Sequence, residues 1–496
     1  MATTTSTRVL ENYVGGSWVA SASQELLDVT NPATGEVIAR VPLSTAADLD
    51  AAVTAARKAL PTWRAVAVPE RARKLFVLRE KLVARHDDLA RCVTVEMGKT
   101  LPDARAEVGR MIEMVEAATA VPTTMQGRII EDVARNVDAE TVRQPVGVCA
   151  AIVPFNFPAM VPFWFLPFAI ACGNTFVLKP SEQVPLTQAM AFELLDELDL
   201  PPGVVNLVNG GRDVVDAILD HDGIDAVSFV GSAKVARHVY SRAAASGKRV
   251  QALGGAKNHM VVMPDAVLDK TVSGILGSAF GAAGQRCMAG SVVVAVGEVH
   301  DRLRDALRSA AAGLQVGDGL QDGVDVGPLV SPAACERVRG YVERAVAEGA
   351  ELVLDGRDTD AGEAFVGPTI LDEVTPEMEV WRDEVFGPVL ALVRAETLDD
   401  AIAVVNASPY GNGVSLFTES GAAARHFRHD VEVGMIGVNV GVAAPVAFFP
   451  FSGWKDSFLG DLHAHGPDAV EFYTRKKTVT SRWFSGGETG RYFVES

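Results

Sequence analysis

Between Arg143 and Lys179 the chain carries no charged residue, and this stretch constrains the fold more than any other feature. It exceeds the roughly 20 apolar residues that a membrane-spanning helix needs. Pro145, Pro154, Pro158, Pro162 and Pro167 argue against such a helix, because repeated prolines break it and leave backbone groups unpaired in lipid. The stretch is therefore expected inside protein, as a buried strand, a proline-rich loop and a packed helix. From Val146 onward the same pattern continues. VGVCAAIVP is followed by a helix over 163–172, TFVLKPS, a helix over 185–198, VVNLVNG, a helix over 213–219, and AVSFVGS with a helix over 233–245. Continuous apolar strands alternating with helices predict an α/β fold, a parallel sheet covered on both faces. Ligands of such sheets sit at the carboxyl ends of the strands.

A second alternating set runs from HMVVMPDA through SVVVAV, TILDEV and GPVLALV to MIGVNV. A site between the two sets is the natural expectation. Residues 12–40 read as short strands with an NPATG turn, and from Asp48 to about Ala120 the apolar spacing is helical. Past Val470 the chain reads EFYTRKKTVTSRWF, an alternating strand with little core of its own, of the kind often added to another subunit's sheet. At 496 residues two or three domains are expected. The net charge of −18 argues against a nucleic-acid surface, so an anionic ligand must be met by a few local arginines. Five cysteines, at 92, 149, 172, 287 and 335, form no CxxC pair. Reduced thiols in a cytoplasmic compartment are the simplest reading. The N-terminus lacks the apolar core of a secretory signal.

Several short motifs carry chemistry. GAAGQRCMAGS, residues 281–291, sets Cys287 among small residues directly after Arg286. A nucleophilic cysteine needs access and a positive environment that lowers its pKa, although cysteines are equally among the most buried residues. Asn156 in PFNFP stands on a proline-framed turn, either as an oxyanion donor or as a turn residue only. Lys179 and Glu182 in LKPSE follow a strand, where a ribose or adenine could be held. Gly231 and Ser232 in SFVGSAKVA pass from strand to helix, as a pyrophosphate requires, though the full GxGxxG fingerprint is absent and Ala236 follows. Glu384 and Phe386 in DEVFGPV offer a carboxylate and an aromatic wall. His463 and His465 form an HxH pair without a third ligand, so no metal is expected.

PFNFP, LKPSE, FVGS, LGGAKNH, GQRCMA and EVFGPV occur in this order, and together they resemble the aldehyde dehydrogenase superfamily over essentially the whole chain. Within it, QALGGAKNHMVVMPDA, GQRCMAGS and FFPFSGWKDSFLGDLHAHG are similar to the CoA-acylating methylmalonate-semialdehyde (malonate-semialdehyde) dehydrogenases. The resemblance implies a Rossmann-type NAD-binding domain (1–120 and 141–250) and an α/β catalytic domain (251–440). It also implies a small β oligomerisation arm (121–140 and 470–496) and a return segment lining the substrate site (441–469). Cys287 is then the nucleophile, and Asn156 with the Cys287 N–H holds the alkoxide. Phe155, Lys179, Glu182, Gly231, Ser232, Glu384 and Phe386 hold NAD, and Arg286 with Arg110 grips a substrate carboxylate. On the residues alone, Arg110 could equally pair with Glu107 or Glu113.

Hydrolytic members carry a glutamate in an ELGG motif that activates water. Here the run is QALGG, with Ala252 in the glutamate's place. Alanine takes no proton, so water activation loses a contribution of roughly 10²–10⁴-fold, and coenzyme A becomes the natural acceptor. The expected reaction is oxidation of malonate or methylmalonate semialdehyde to acetyl-CoA or propionyl-CoA with loss of CO₂. The expected protein is a soluble homo-oligomer, a dimer or a dimer of dimers (homotetramer). The rival readings are a hydrolytic aldehyde dehydrogenase and a dinucleotide-binding or structural protein without activity. Intact Cys287, Asn156 and Glu384 speak against the latter.

Overall fold

The computed structural model describes residues 8–484. The charge-free stretch folds as the fully buried strand Val148–Ile152, a loop carrying PFNFP, the short helices Met160–Phe163 and Leu166–Ala171, and the buried strand Thr175–Lys179. Pro167 stands in the first turn of its helix, where the missing N–H costs nothing. Among the described residues no helix is long and apolar enough to cross a membrane.

The strand Val148–Ile152 is central to an eight-stranded sheet. Thr175–Lys179 and then Val205–Leu207 lie to one side, and Ala226–Val230 and then Arg249–Leu253 to the other, all parallel. Antiparallel edges come from the hairpin Asn12–Val14/Ser17–Val19 and from Phe458–Leu459. The strand order thus reverses between Val148–Ile152 and Ala226–Val230. In a doubly wound sheet that reversal opens a crevice beyond the carboxyl ends.

The second alternating set builds a seven-stranded sheet, in the order Glu351–Leu354, Thr369–Asp372, Val389–Ala395, Gly290–Val296, Asn258–Val262, Gly413–Phe417 and Met435–Val438. All neighbours are parallel except the first pair. Gly413–Phe417 is an interior, fully buried strand with no place in the alternation expected from sequence.

A third, antiparallel sheet joins Arg128–Ala134, Val137–Pro145 and Thr474–Arg482. The C-terminal strand therefore pairs within its own chain, because Val137–Pro145 offers it a nine-residue register. Val137–Pro145 also runs across the division expected at residue 140. Arg128–Ala134 is exposed along its length, with Ile129 and Ile130 each 62% accessible. Residues 485–496 of the expected arm lie outside the described residues.

One helix braces the centre of the molecule. Leu101–Ala118 begins at Thr100, whose hydroxyl accepts from the Asp103 N–H at 3.4 Å, with Pro102 in the first turn. Residues 103, 107, 110 and 114 recur at helical spacing and so share one face.

Candidate active site

Two cavities meet at Cys287, which lines both. The larger, about 620 Å³, lies in the crevice where the first sheet reverses, between Ile152–Asn156 and Phe229–Ser232. The smaller, about 350 Å³, is walled by the 103/107/110/114 face of the helix, by Arg286, and by Trp164, Phe451 and His465.

Cys287 is delivered by an unusual turn. The helix Leu268–Phe280 ends, and Ala282, Ala283 and Gly284 follow with φ of 49°, 52° and 71°. Left-handed backbone is disfavoured for alanine by roughly 1–2 kcal/mol per residue, so other contacts must hold it. The Ala282 N–H donates to Asp103 Oδ2 at 2.9 Å. Gln285 anchors the next position by accepting from the Val330 N–H at 3.0 Å. A Cβ on Gly284 would meet the Gly387 carbonyl oxygen at 2.2 Å, so this turn packs backbone to backbone against the turn carrying Glu384 and Phe386. Beyond the nucleophile, the Cys287 carbonyl accepts from Asn258 Nδ2 at 2.8 Å and Asn412 Nδ2 at 2.9 Å.

The Asn156 loop is fixed from below. Lys99 Nζ, fully buried, donates to Glu107 Oε2 at 2.5 Å and to the Asn156 carbonyl at 2.8 Å. Glu107 Oε1 accepts from the Ala159 and Met160 N–H groups at 2.8 and 3.1 Å. The Asn156 amide then donates to the Gln285 carbonyl at 3.0 Å, two residues before Cys287. The geometry thus brings the expected nucleophile and the expected oxyanion donor onto one braced pair of loops.

The charges differ from expectation at the thiol. The sequence makes Arg286 a charge that lowers the Cys287 pKa; instead burial, with the Glu384 charge second, pushes it up to about 12. The N–H groups of Cys287 and Met288 favour the thiolate, but Arg286 contributes less than either. Arg286 Nη2 is committed to Asp103 Oδ1 at 2.7 Å. Arg110 lines the same small cavity and is held by Glu113 and by the Pro445 carbonyl at 2.7 Å. Of the two carboxylates within reach along the helix, Glu113 is its partner and Glu107 belongs to Lys99.

Phe155, Asn156, Gly231, Ser232, Glu384 and Phe386 all line the larger cavity, and the Phe155 and Phe386 rings meet edge to face at 5.8 Å. Lys179 and Glu182 do not. Lys179 is buried, its ammonium bonds to Glu182 at 2.8 Å, and Ser181 and Gln183 supply that wall. Burial raises Glu384 to about 7, while the Ala256 N–H, Lys257 and Arg337 favour its anion. Lys257 is itself depressed to about 8 by burial.

The residues at the reversal suit a dinucleotide. The helix Ala233–Ala245 starts at the cavity with no side-chain cap, leaving its first N–H groups and dipole to a phosphate. Gly231 and Gly254 both line this cavity, and a Cβ on either would lie 2.5–2.6 Å from Phe229 or the Asp456 carbonyl, so neither position has room for a side chain. Ala236 is buried under Gly254, with 3.6 Å between its methyl and a Cβ built there, so its side chain is taken up between helix and sheet.

Ala252 is fully buried in the strand Arg249–Leu253 and is absent from both cavity walls. His463 bonds to Asp468 at 3.0 Å, while His465, kept neutral by burial, faces the small cavity with Nδ1 unpartnered. Among the described residues no group of three His, Cys, Asp or Glu could hold a metal ion. Asp103, Lys99, Glu107, Asn258 and Asn412 join the site only in three dimensions. Of these, Asp103 and Glu107 alone leave a signal in sequence, the repeat of polar residues on the face of Leu101–Ala118.

Comparison with known proteins agrees with this architecture. The aldehyde dehydrogenase family model matches residues 18–479. Malonate-semialdehyde dehydrogenase 3 of Geobacillus kaustophilus (strain HTA426) is 55% identical over 97% of this chain and 100% of its own length. Among solved structures, methylmalonate-semialdehyde dehydrogenase from Oceanimonas doudoroffii superposes with a TM-score of 0.95 at 46% identity, covering 97% of this chain and 99% of that one. A structure from Sinorhizobium meliloti 1021, complexed with NAD and assigned as a methylmalonate-semialdehyde dehydrogenase, gives the same TM-score at 43% identity and the same coverage. With the family's model spanning both sheets and Cys287 seated between two cavities, the chain belongs to the aldehyde dehydrogenase family.

Proposed function

We propose that the chain is an NAD-dependent, CoA-acylating dehydrogenase of malonate or methylmalonate semialdehyde. The observation that carries this reading is the position of Cys287 at the junction of a larger cavity at the sheet reversal and a small cavity lined by Arg110 and Arg286. The semialdehyde enters the small cavity with its carboxylate toward the two guanidiniums, which grip carboxylates in a fixed geometry. Cys287 Sγ attacks the aldehyde carbon, and the Asn156 amide stabilises the alkoxide that forms. Phe155, Gly231, Ser232, Glu384 and Phe386, with Lys179 and Glu182 behind, would hold NAD, which would supply the acceptor for the hydride whose loss from the alkoxide carbon leaves a thioester on Cys287.

Release of that thioester is where the chain departs from hydrolytic relatives. Ala252 offers no base, and the carboxylates of the small cavity are engaged, Asp103 with Arg286 and Glu107 with Lys99. A thiol that ionises without help is the fitting acceptor, which favours coenzyme A over water. Loss of CO₂ from the acyl group gives acetyl-CoA or propionyl-CoA. Domain roles follow the sheets: the eight-stranded sheet for the dinucleotide, the seven-stranded sheet for Cys287, and the three-stranded sheet with its bare Ile129 and Ile130 for a homodimer or dimer of dimers. Five free cysteines fit a cytoplasmic enzyme.

The decisive experiment is a steady-state assay with malonate semialdehyde and NAD, with and without CoA. Sustained NADH formation only with CoA, and an acyl-CoA product, is expected. Multiple turnovers to a free acid without CoA would replace this reading by a hydrolytic one.

A further inference from the structure

Each guanidinium of the small cavity carries its own carboxylate. Arg286 is held by Asp103 at 2.7 Å, and Arg110 by Glu113 one helical turn along. Both acids stand on the helix Leu101–Ala118, and both are held on their second oxygen as well. Asp103 Oδ2 accepts from the Ala282 N–H at 2.9 Å, and Glu113 Oε1 from the Ala447 N–H at 2.9 Å. Glu107, the other acid of that helix lining the cavity beside Asp103, is neutralised by Lys99. The cavity therefore contains two arginines and no uncompensated positive charge from them. A pocket selected only to bind an anion has no use for this arrangement, since each built-in carboxylate competes with the ligand for the same donors.

We infer that Asp103 and Glu113 are positioning residues that weaken the grip of Arg286 and Arg110 on the substrate carboxylate so that it can depart as CO₂. The inference rests on the semialdehyde reading above. In the thioester ⁻O₂C–CH₂–CO–S–Cys287 the bond between the carboxylate carbon and the methylene breaks. Its electron pair moves onto the thioester carbonyl oxygen, water returns one proton to carbon, and the acetyl thioester passes to the CoA thiol; no oxidant is consumed. The carboxylate is charged before this step and neutral after it. A guanidinium that stabilises it acts on the ground state alone and raises the barrier. Sharing each guanidinium with a resident acid leaves enough attraction to orient the substrate while lowering that barrier.

The test uses full-length Asp103→Asn, Glu113→Gln and the double variant, with malonate semialdehyde, NAD and CoA, and propionaldehyde as the uncharged comparison. Asparagine keeps an acceptor for the Ala282 N–H, and position 113 lies away from the cysteine turn, so the two variants fail independently if folding is the issue. We expect the KM for malonate semialdehyde, relative to that for propionaldehyde, to fall about tenfold, the factor that a hydrogen bond between charged groups supports. Product analysis should show malonyl-CoA beside acetyl-CoA, most in the double variant. Losses equal for both aldehydes, or acetyl-CoA alone with an unchanged KM ratio, would overturn the inference while leaving the semialdehyde reading intact. If the unaltered enzyme forms no acyl-CoA, the semialdehyde reading fails and this inference falls with it.

Discussion

The larger cavity takes its distinguishing features from backbone at the ends of two adjacent strands, whereas the smaller takes its charges from side chains on one helix face and a neighbouring turn, set among apolar residues. Glycine, a bare helix N-terminus and a strand reversal define the first. Paired acids and arginines define the second. Main-chain sites tolerate side-chain change because their donors belong to every residue. Side-chain sites are tuned by each substitution, and here they also brace the nucleophile's turn. The difference locates the wall where substrate choice can change without disturbing the dinucleotide.

Four measurements test that contrast. Asn156→Ala removes an amide that lines the larger cavity beside Cys287 and should lower kcat by about 10²–10³-fold with little change in dinucleotide affinity, as for other oxyanion donors; comparable loss of affinity would mean that the amide holds the dinucleotide rather than the alkoxide. Lys99→Met strands the buried Glu107 carboxylate, and about 3–5 kcal/mol of stability should be lost in denaturant unfolding. A small cost would show that the helix does not brace the Asn156 loop. The raised thiol predicts a pH effect with a definite sign. With Cys287 near 12 the thiolate is scarce at neutral pH and grows with rising pH, so kcat/KM should climb about tenfold per unit across the neutral range; a plateau near pH 6 would point to a thiol already ionised. Ser232→Ala should change dinucleotide affinity by no more than about twofold if backbone carries the phosphate, because the hydroxyl caps none of the first N–H groups of the helix. A loss above tenfold would place a side chain where backbone is claimed.

Legibility follows the same division. The first sheet can be read because Val148–Ile152, Thr175–Lys179 and Ala226–Val230 are continuous apolar runs separated by helices. Gly231 and Phe386 stand out because strand-to-turn glycines and prolines leave a local signature. Gly413–Phe417 escapes because its five residues sit between glycines and polar side chains, and its burial comes from partners distant in sequence. The Lys99–Glu107 pair escapes because a lysine before a helix and a glutamate within it look solvated until the Asn156 loop closes over them. In sequence Arg286 looks like a charge free to act on the thiol; its commitment to Asp103, 183 residues earlier, has no local trace.

The uncharged central strand also shapes how the chain emerges from the ribosome. Val148–Ile152 is flanked in the finished sheet by Thr175–Lys179 and Ala226–Val230, both synthesised after it. At 5–20 residues per second the second flank arrives about 4–15 s later. During that interval an apolar segment without charge, containing Phe163, Trp164 and Phe165, has no partner on one side. Its prolines, which keep it from forming one long apolar helix, also confine any template for cross-strand pairing before Pro167 to the short run between Pro145 and Pro154.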